Sequence, residues 1–171
     1  AVVDHRPDAV DPDAPLLEVA DTMVALEDLG RAARDRSKAK VIAVTGSVGK
    51  TGTKEALRFV LEDQAPCVAS RGSFNNHWGV PLSLSRMPAD SAFGVFEIGM
   101  NHPGEITPLT KMVRPHVALV TNVEHVHGAY FDSMDAIADA KAEIFDGLAE
   151  DGVAVLNRDN DQYDQIGRAH V

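Results

Sequence analysis

The sequence predicts an α/β fold, a mostly parallel, doubly covered sheet of the phosphate-loop (P-loop) nucleotide-binding type. Two observations carry that expectation. Short β-branched and apolar runs alternate with segments of helical periodicity along most of the chain, the pattern of strands joined by crossover helices. One junction, Val41-Ile-Ala-Val-Thr-Gly-Ser-Val-Gly-Lys-Thr51, reads as strand, glycine loop and helix in turn. Glycines let backbone N–H groups curl around phosphate oxygens, and the following helix N-terminus adds partial positive charge. Gly46, Ser47, Val48, Gly49, Lys50, Thr51 and Gly52 therefore form a candidate nucleotide-binding loop. Lys50 would reach the outer phosphates, and the Thr51 hydroxyl would ligate Mg²⁺. The usual pattern has a further glycine where Val44 stands, so this loop is shorter. A tight turn that merely contains a lysine is the plainer reading; the strand before and the helix after favour phosphate.

Taken in order, residues 1–15 are rich in Asp and Pro, lack periodicity, and read as the tail of a preceding domain, with Val2 and Val3 the remnant of a strand. Residues 16–40 read as a bridging helix and linker. Val19, Met23, Leu26, Leu29 and Ala33 recur at three- and four-residue steps there, with Asp21 or its neighbours as the cap. Residues 41–171 then form the nucleotide-binding unit. After the first strand and its helix (Lys54, Ala56, Leu57, Val60, Leu61), a second strand spans Cys67 to Ser70. The loop Arg71 to Gly79 leads to a short helix, Val80 to Leu84, entered through Pro81 in its first turn. Phe93 to Ile98 is a third strand, Glu105 to Val113 a helix, and Val117 to Thr121 a fourth strand closed by Asn122. Ser133 caps a long helix expected to run to about Glu150, with Gly152 beyond it. Val153 to Leu156 is the fifth strand, and a last helix spans Asp161 to His170. No internal repeat interrupts the series.

A chain of 171 residues with 44% hydrophobic and 25% charged content reads as one globular domain, or one domain with a remnant of another. A formal charge of −10 argues against a nucleic-acid partner, since no basic stripe is available to neutralise a phosphate backbone. The single cysteine, Cys67, rules out an internal disulfide and suits a cytoplasmic setting; its apolar surroundings suggest a buried structural thiol. No apolar run is long enough to span a bilayer, so no membrane role is expected. The first residue is Ala rather than Met, and the chain is expected to be an excised piece.

In parallel sheets of this kind, ligands lie outside the carboxyl ends of the strands. The third strand ends in Glu97, well placed beside the loop to hold Mg²⁺ directly or through water. The fourth leads into Glu124, His125 and His127, a pair of histidines at the same edge. Lys141 lies on the apolar stripe of Met134, Ile137, Ile144, Phe145 and Leu148. An inward lysine must snorkel, pair with a carboxylate such as Glu97 or with bound phosphate, or be carbamylated by CO₂ to an anionic metal ligand. Periodicity alone shows only that it faces inward.

Five stretches together resemble the central, ATP-binding domain of the Mur ligase family. They are Thr45-Gly-Ser-Val-Gly-Lys-Thr51, Asn75-Asn-His-Trp-Gly-Val-Pro-Leu-Ser-Leu84, Glu97-Ile-Gly-Met-Asn-His-Pro-Gly-Glu-Ile106, Thr121-Asn122 with His127, and Ala140-Lys-Ala-Glu-Ile-Phe145. The second and third look most like the members that add D-alanyl-D-alanine to UDP-N-acetylmuramoyl-tripeptide. The resemblance implies an ATP-dependent, ADP-forming amide ligase of peptidoglycan synthesis that works through an acyl phosphate. It implies Lys50, His127 and Lys141 as catalytic residues, and Thr51 and Glu97 as ligands of one Mg²⁺. It further implies His127 and carbamylated Lys141 at a second metal, with Asn75 and Asn76 near the phosphates or the tripeptide. Residues 1–15 are similar to the tail of the family's UDP-binding first domain. The adenine-reading segment and carboxy-terminal domain are not in this sequence, so the piece alone is expected to be inactive and to need those domains as partners. Gly52 stands where relatives usually carry Thr or Ser. A sibling Mur ligase, a folylpolyglutamate synthase-like ligase, or a nucleotide-binding module without catalysis are the alternatives. A small GTPase is disfavoured, because no Asn-Lys-x-Asp stretch is present.

Overall fold

The chain is seen in a computed structural model that describes residues 1–125 and 130–168. Its centre is a five-stranded, all-parallel sheet of β3 (Lys40–Thr45), β4 (Cys67–Ala69), β5 (Phe93–Glu97), β6 (Val117–Val120) and β7 (Val153–Leu156), in the order β4-β5-β3-β6-β7. The glycine-loop strand β3 therefore lies in the middle, with later strands leaving to opposite sides. Its in-register partners put Val44 beside Glu97 on one flank and Thr45 beside Val120 on the other. That register, set by parallel pairing of buried apolar runs, brings the ends of β3, β5 and β6 to one rim. A separate parallel pair, β1 (Val2–Val3) with β2 (Leu17–Glu18), precedes the first helix.

Helix α1 (Thr22–Arg36) starts where the sequence places its cap, with Asp21 accepting from Met23 N at 2.7 Å and Val24 N at 2.9 Å. It packs on α3 (Gly79–Ser85) and α4 (Ile106–Val113) as part of the same body. At Gly30 an added Cβ would lie 3.1 Å from Pro81, so glycine allows the close crossing. Helix α2 (Lys50–Glu62) follows the glycine loop; Phe59 and Val60, on its outer side, are exposed. The core runs through β3 and β5 (Val41, Ala43, Phe96) into α3 and α4 (Leu84, Ile106, Val113) and on to Ile137 and Ile144.

Helix α4 is held at both ends by side chains from elsewhere. The Glu143 carboxylate accepts from Gly104 N at 2.6 Å and from Ile106 N and Thr107 N, each at 3.1 Å. At the other end Arg34 donates to the carbonyls of Val113 (2.7 Å) and Arg114 (2.9 Å). An anion at the N-terminus and a cation at the C-terminus satisfy the orphan backbone groups and suit the helix dipole.

The expected helix from Ser133 to about Glu150 is shorter in fact. Ser133 caps it through Ala136 N at 3.1 Å, but α5 spans only Met134–Ala142 and then tightens to a 3-10 turn over Glu143–Gly147. The cause is tertiary. Thr110 Oγ1 donates to the Ile144 carbonyl at 2.7 Å, and a Cβ at Gly147 would come within 2.2 Å of the Thr110 carbonyl oxygen. Docking this turn against α4 takes precedence over continuing the helix. The last helix, α6 (Tyr163–Arg168), begins two residues later than expected, after a turn in which Tyr163 N donates to Asn160 O.

Candidate functional site

At the rim, β3 ends in a loop that its neighbours shape. Gly46 has φ +142, and a Cβ there would meet the Thr121 hydroxyl at 1.9 Å; no other residue fits. Thr121 donates to Val48 O at 2.6 Å, Ser47 N donates to Asn122 O, and Val48 N donates to Asn122 Oδ1. Ser47 Oγ both donates to Glu124 O and accepts from Glu124 N. The segment leaving β6 thus clamps the first half of the loop and uses the Ser47 and Val48 amides. Gly49 then turns the chain at φ +83 into α2, whose N-terminus has no side-chain cap. The unpaired amides of that first turn, beginning with Lys50, Thr51 and Gly52, form the anion-seeking part of the loop.

Lys50 folds back over the loop and donates to Gly46 O at 2.8 Å and Ser47 O at 3.3 Å. Burial pulls its ammonium below the usual range, while the nearby Glu97 carboxylate pulls the other way. Glu97 is sealed, 1% exposed, yet its partners are neutral: Thr51 Oγ1 donates to Oε2 and Asn75 Nδ2 to Oε1, both at 2.7 Å. Asn75 also accepts the Gly99 N–H on its carbonyl at 2.8 Å. Asn76 has a different task. Its Oδ1 accepts from Trp78 N and Gly79 N, capping the start of α3. A cavity of about 260 Å³ opens in front of this group, lined by Lys50, Asn75, Asn76, Gly99, Met100, Asn101 and Glu105.

Lys141 is inward, as its place on the helical stripe predicts, and only 2% exposed. It does not pair with Glu97. Among the described residues its ammonium has neither a hydrogen bond nor an ion pair. Desolvation, followed by the positive charge of Lys50, lowers its pKa from 10.5 to about 8. The fourth-strand histidines are less informative. His125 is exposed at the rim, and His127 lies outside the described residues. Cys67 is half-buried, and burial pushes its thiol up, away from nucleophilic use.

The structure brings the predicted Lys50, Thr51, Glu97 and Asn75 together at the rim, with Lys141 within electrostatic reach of Lys50; the clamp was missed. Asn122 appeared as the residue closing a strand and in a resembling stretch, without a role, and Lys54 only as part of a helical pattern. Lys54 is 0% exposed, and its Nζ donates to Ser70 O and Gly72 O. A signal for Lys54 existed: it lies one turn below Lys50 on the same helix, so both rise toward the sheet.

Residues 44–170 match the Mur ligase middle domain. The chain belongs to the Mur ligase family. It is 41% identical over 151 residues to the UDP-N-acetylmuramoyl-tripeptide–D-alanyl-D-alanine ligase of Rickettsia prowazekii, covering 88% of this chain and 34% of that protein. MurF from Acinetobacter baumannii has the same fold at 39% identity and TM-score 0.89, over 99% of this chain and 37% of that one. A MurF ligase from Thermotoga maritima, solved in complex with ADP, matches at 28% identity and TM-score 0.83, over 98% and 39% of the two chains. This Mur ligase segment spans about a third of the length of the relatives it matches. The five-stranded parallel sheet predicted from the sequence is the one these structures share. Among the described residues, no helix is long and apolar enough to cross a membrane.

Proposed function

We propose that this chain is the ATP-binding part of a ligase that joins D-alanyl-D-alanine to UDP-N-acetylmuramoyl-tripeptide. The observation that carries the reading is a set of buried and half-buried ionisable groups, two lysines and one carboxyl, beside an uncapped helix N-terminus. Glu97 is a buried carboxyl whose hydrogen-bond partners are neutral, with Lys50 close by, and Lys141 is a buried amine with no hydrogen bond or ion pair among the described residues. Isolated buried charges are costly, so a site that keeps both is built to receive counter-charges.

In this reading the tripeptide's terminal carboxylate takes the γ-phosphoryl group of ATP, and ADP leaves. The amine of D-alanyl-D-alanine then adds to the acyl phosphate carbon, and the tetrahedral adduct collapses with loss of phosphate and a proton. The protein's share is positioning and charge neutralisation. Lys50 leaves the loop carbonyls for the β- and γ-phosphates, and the first-turn amides of α2 hold their oxygens. Thr51 and Glu97 supply the hard oxygen ligands that suit Mg²⁺, which would neutralise the transferred phosphoryl's charge. Among the described residues no three His, Cys, Asp or Glu side chains converge as a self-sufficient metal centre, so phosphate and water oxygens would complete that shell. Burial and Lys50 lower the Lys141 pKa to about 8, which raises the share of its neutral amine at physiological pH. That amine adds to CO₂ with loss of a proton, and the resulting carbamate, with His127, would hold a second metal. Asn75 fixes Glu97 and borders the phosphate cavity; Asn76 shapes the wall where the tripeptide would pass.

The test is a chimera in which residues 44–168 replace the matching third of the Rickettsia ligase. ADP formation that requires both UDP-N-acetylmuramoyl-tripeptide and D-alanyl-D-alanine is expected. A folded chimera that binds Mg-ATP yet forms no ADP with both substrates present contradicts the proposal.

A further inference from the structure

We propose that Lys54 is a positioning residue: it ties the phosphate-loop helix to the asparagine loop and so holds Glu97 in the geometry the metal site needs. This rests on the reading of Glu97 as a metal ligand given above. The ammonium is completely enclosed, and each of its three hydrogens has an acceptor. Ser70 O lies at 2.7 Å, Gly72 O at 2.8 Å and Glu55 Oε1 at 2.9 Å.

What the two carbonyls belong to gives the contact its purpose. Strand β4 is the sheet edge and ends at Ala69, and beyond the Ser70 N–H bond to Val95 O the loop leaves the sheet. Ser70 leads directly to Glu97. Its Oγ accepts the Glu97 N–H at 3.2 Å, and its own N–H donates to Val95 O at 3.1 Å. Gly72 turns the chain at φ +50, and three residues later Asn75 binds the Glu97 carboxylate and the Gly99 N–H. The loop thus grips Glu97 from its backbone and from its side chain, and Lys54 fixes the base of that grip to α2. The same helix carries Lys50 and Thr51 at its first turn. A single rigid helix therefore sets both the phosphate contacts and, through Lys54 and the loop, the carboxylate opposite them. A plain apolar residue would fill the space at less desolvation cost, but would leave the buried Ser70 carbonyl without this donor and release the part-buried Gly72 carbonyl.

Two readouts on Lys54→Met test this. In the unliganded protein, amide hydrogen exchange over residues 70–76 should speed up about ten-fold, while β3 and β6 amides keep their rates. In nucleotide titrations, the Mg²⁺ concentration for half-maximal ATP binding should rise about ten-fold, with ATP affinity in EDTA moving less than about two-fold. A clamp that only stabilises the fold would weaken both titrations by the same factor, and that result overturns the proposal, as does unchanged exchange in the loop. If wild type itself binds no Mg-ATP, the functional reading fails, and the exchange experiment still decides whether Lys54 holds the loop. Should Lys54→Met not fold, Ser70→Ala removes only the oxygen that receives the Glu97 N–H. It should produce the same Mg²⁺-specific shift, and its absence there counts against Lys54.

Discussion

Lys54 and Lys141 are both sealed from solvent, one on the helix that follows β3 and the other on the helix that precedes β7. Around Lys54 every donor finds an oxygen, two of them backbone carbonyls that have no ladder of their own. Around Lys141 the described residues offer no acceptor, and Lys50 adds a like charge. The first lysine completes the folded structure; the second carries a desolvation cost that an incoming anion would offset. Burial of a lysine therefore says little until its partners are counted.

Opposite signs on substitution are the sharpest way to break that comparison. Lys54→Met should lower unfolding free energy by about 2 kcal/mol, because it strips the donor from the buried Ser70 carbonyl and from the part-buried Gly72 carbonyl. Lys141→Met should raise it by about 2 kcal/mol in the unliganded protein, since the misfit charge disappears while the stem's packing remains. Denaturant melts of both variants beside wild type measure this; a destabilised Lys141→Met would mean that its ammonium already has a partner.

Glu143→Ala is the next effect in size. Three backbone N–H groups at the head of α4 lose their acceptor, at about 1–2 kcal/mol by the same melts. Loss of less than about 0.5 kcal/mol would show that water replaces the carboxylate at no cost.

The pH dependence sharpens the account of Lys141. Its folded pKa of about 8 lies below the ordinary 10.5, so between these values the unfolded chain binds more protons and stability rises with pH. The advantage of Lys141→Met over wild type should be complete below pH 8 and vanish as pH climbs toward 10.5. The smallest effect concerns His116, whose Nδ1 accepts the Val41 N–H at 3.0 Å and whose pKa is lowered chiefly by burial, then by Lys40 and Arg34. Being held neutral, it should cost stability as pH falls below its ordinary 6.5, and His116→Gln should flatten that slope.

Much of the architecture was legible because local patterns and tertiary demands agree. The β-branched runs became parallel strands, Asp21 and Ser133 capped the helices they precede, and the glycine loop turned into α2. Glu97 was legible as an acid closing an apolar strand, and Lys141 as a cation on an apolar stripe. The features that escaped reading depend on partners remote in the chain. Gly147 breaks the helical pattern because the Thr110 backbone occupies the space, and Asn122 serves the loop from 74 residues away. Lys54 resembled an ordinary helical lysine until the loop from Ser70 to Gly72 closed over it. On α2, Val60 belongs to the helical pattern read from the sequence, and its side chain is exposed on the helix's outer side.

The account turns on the rim where β3, β5 and β6 end, and the most direct measurement is calorimetric titration of Mg-ATP into wild type and Lys50→Ala. Wild type should bind, and Lys50→Ala should bind at least about ten-fold more weakly, since a charge-assisted contact to phosphate is lost. Equal affinity in the two proteins would remove the glycine loop from nucleotide binding and contradict the account.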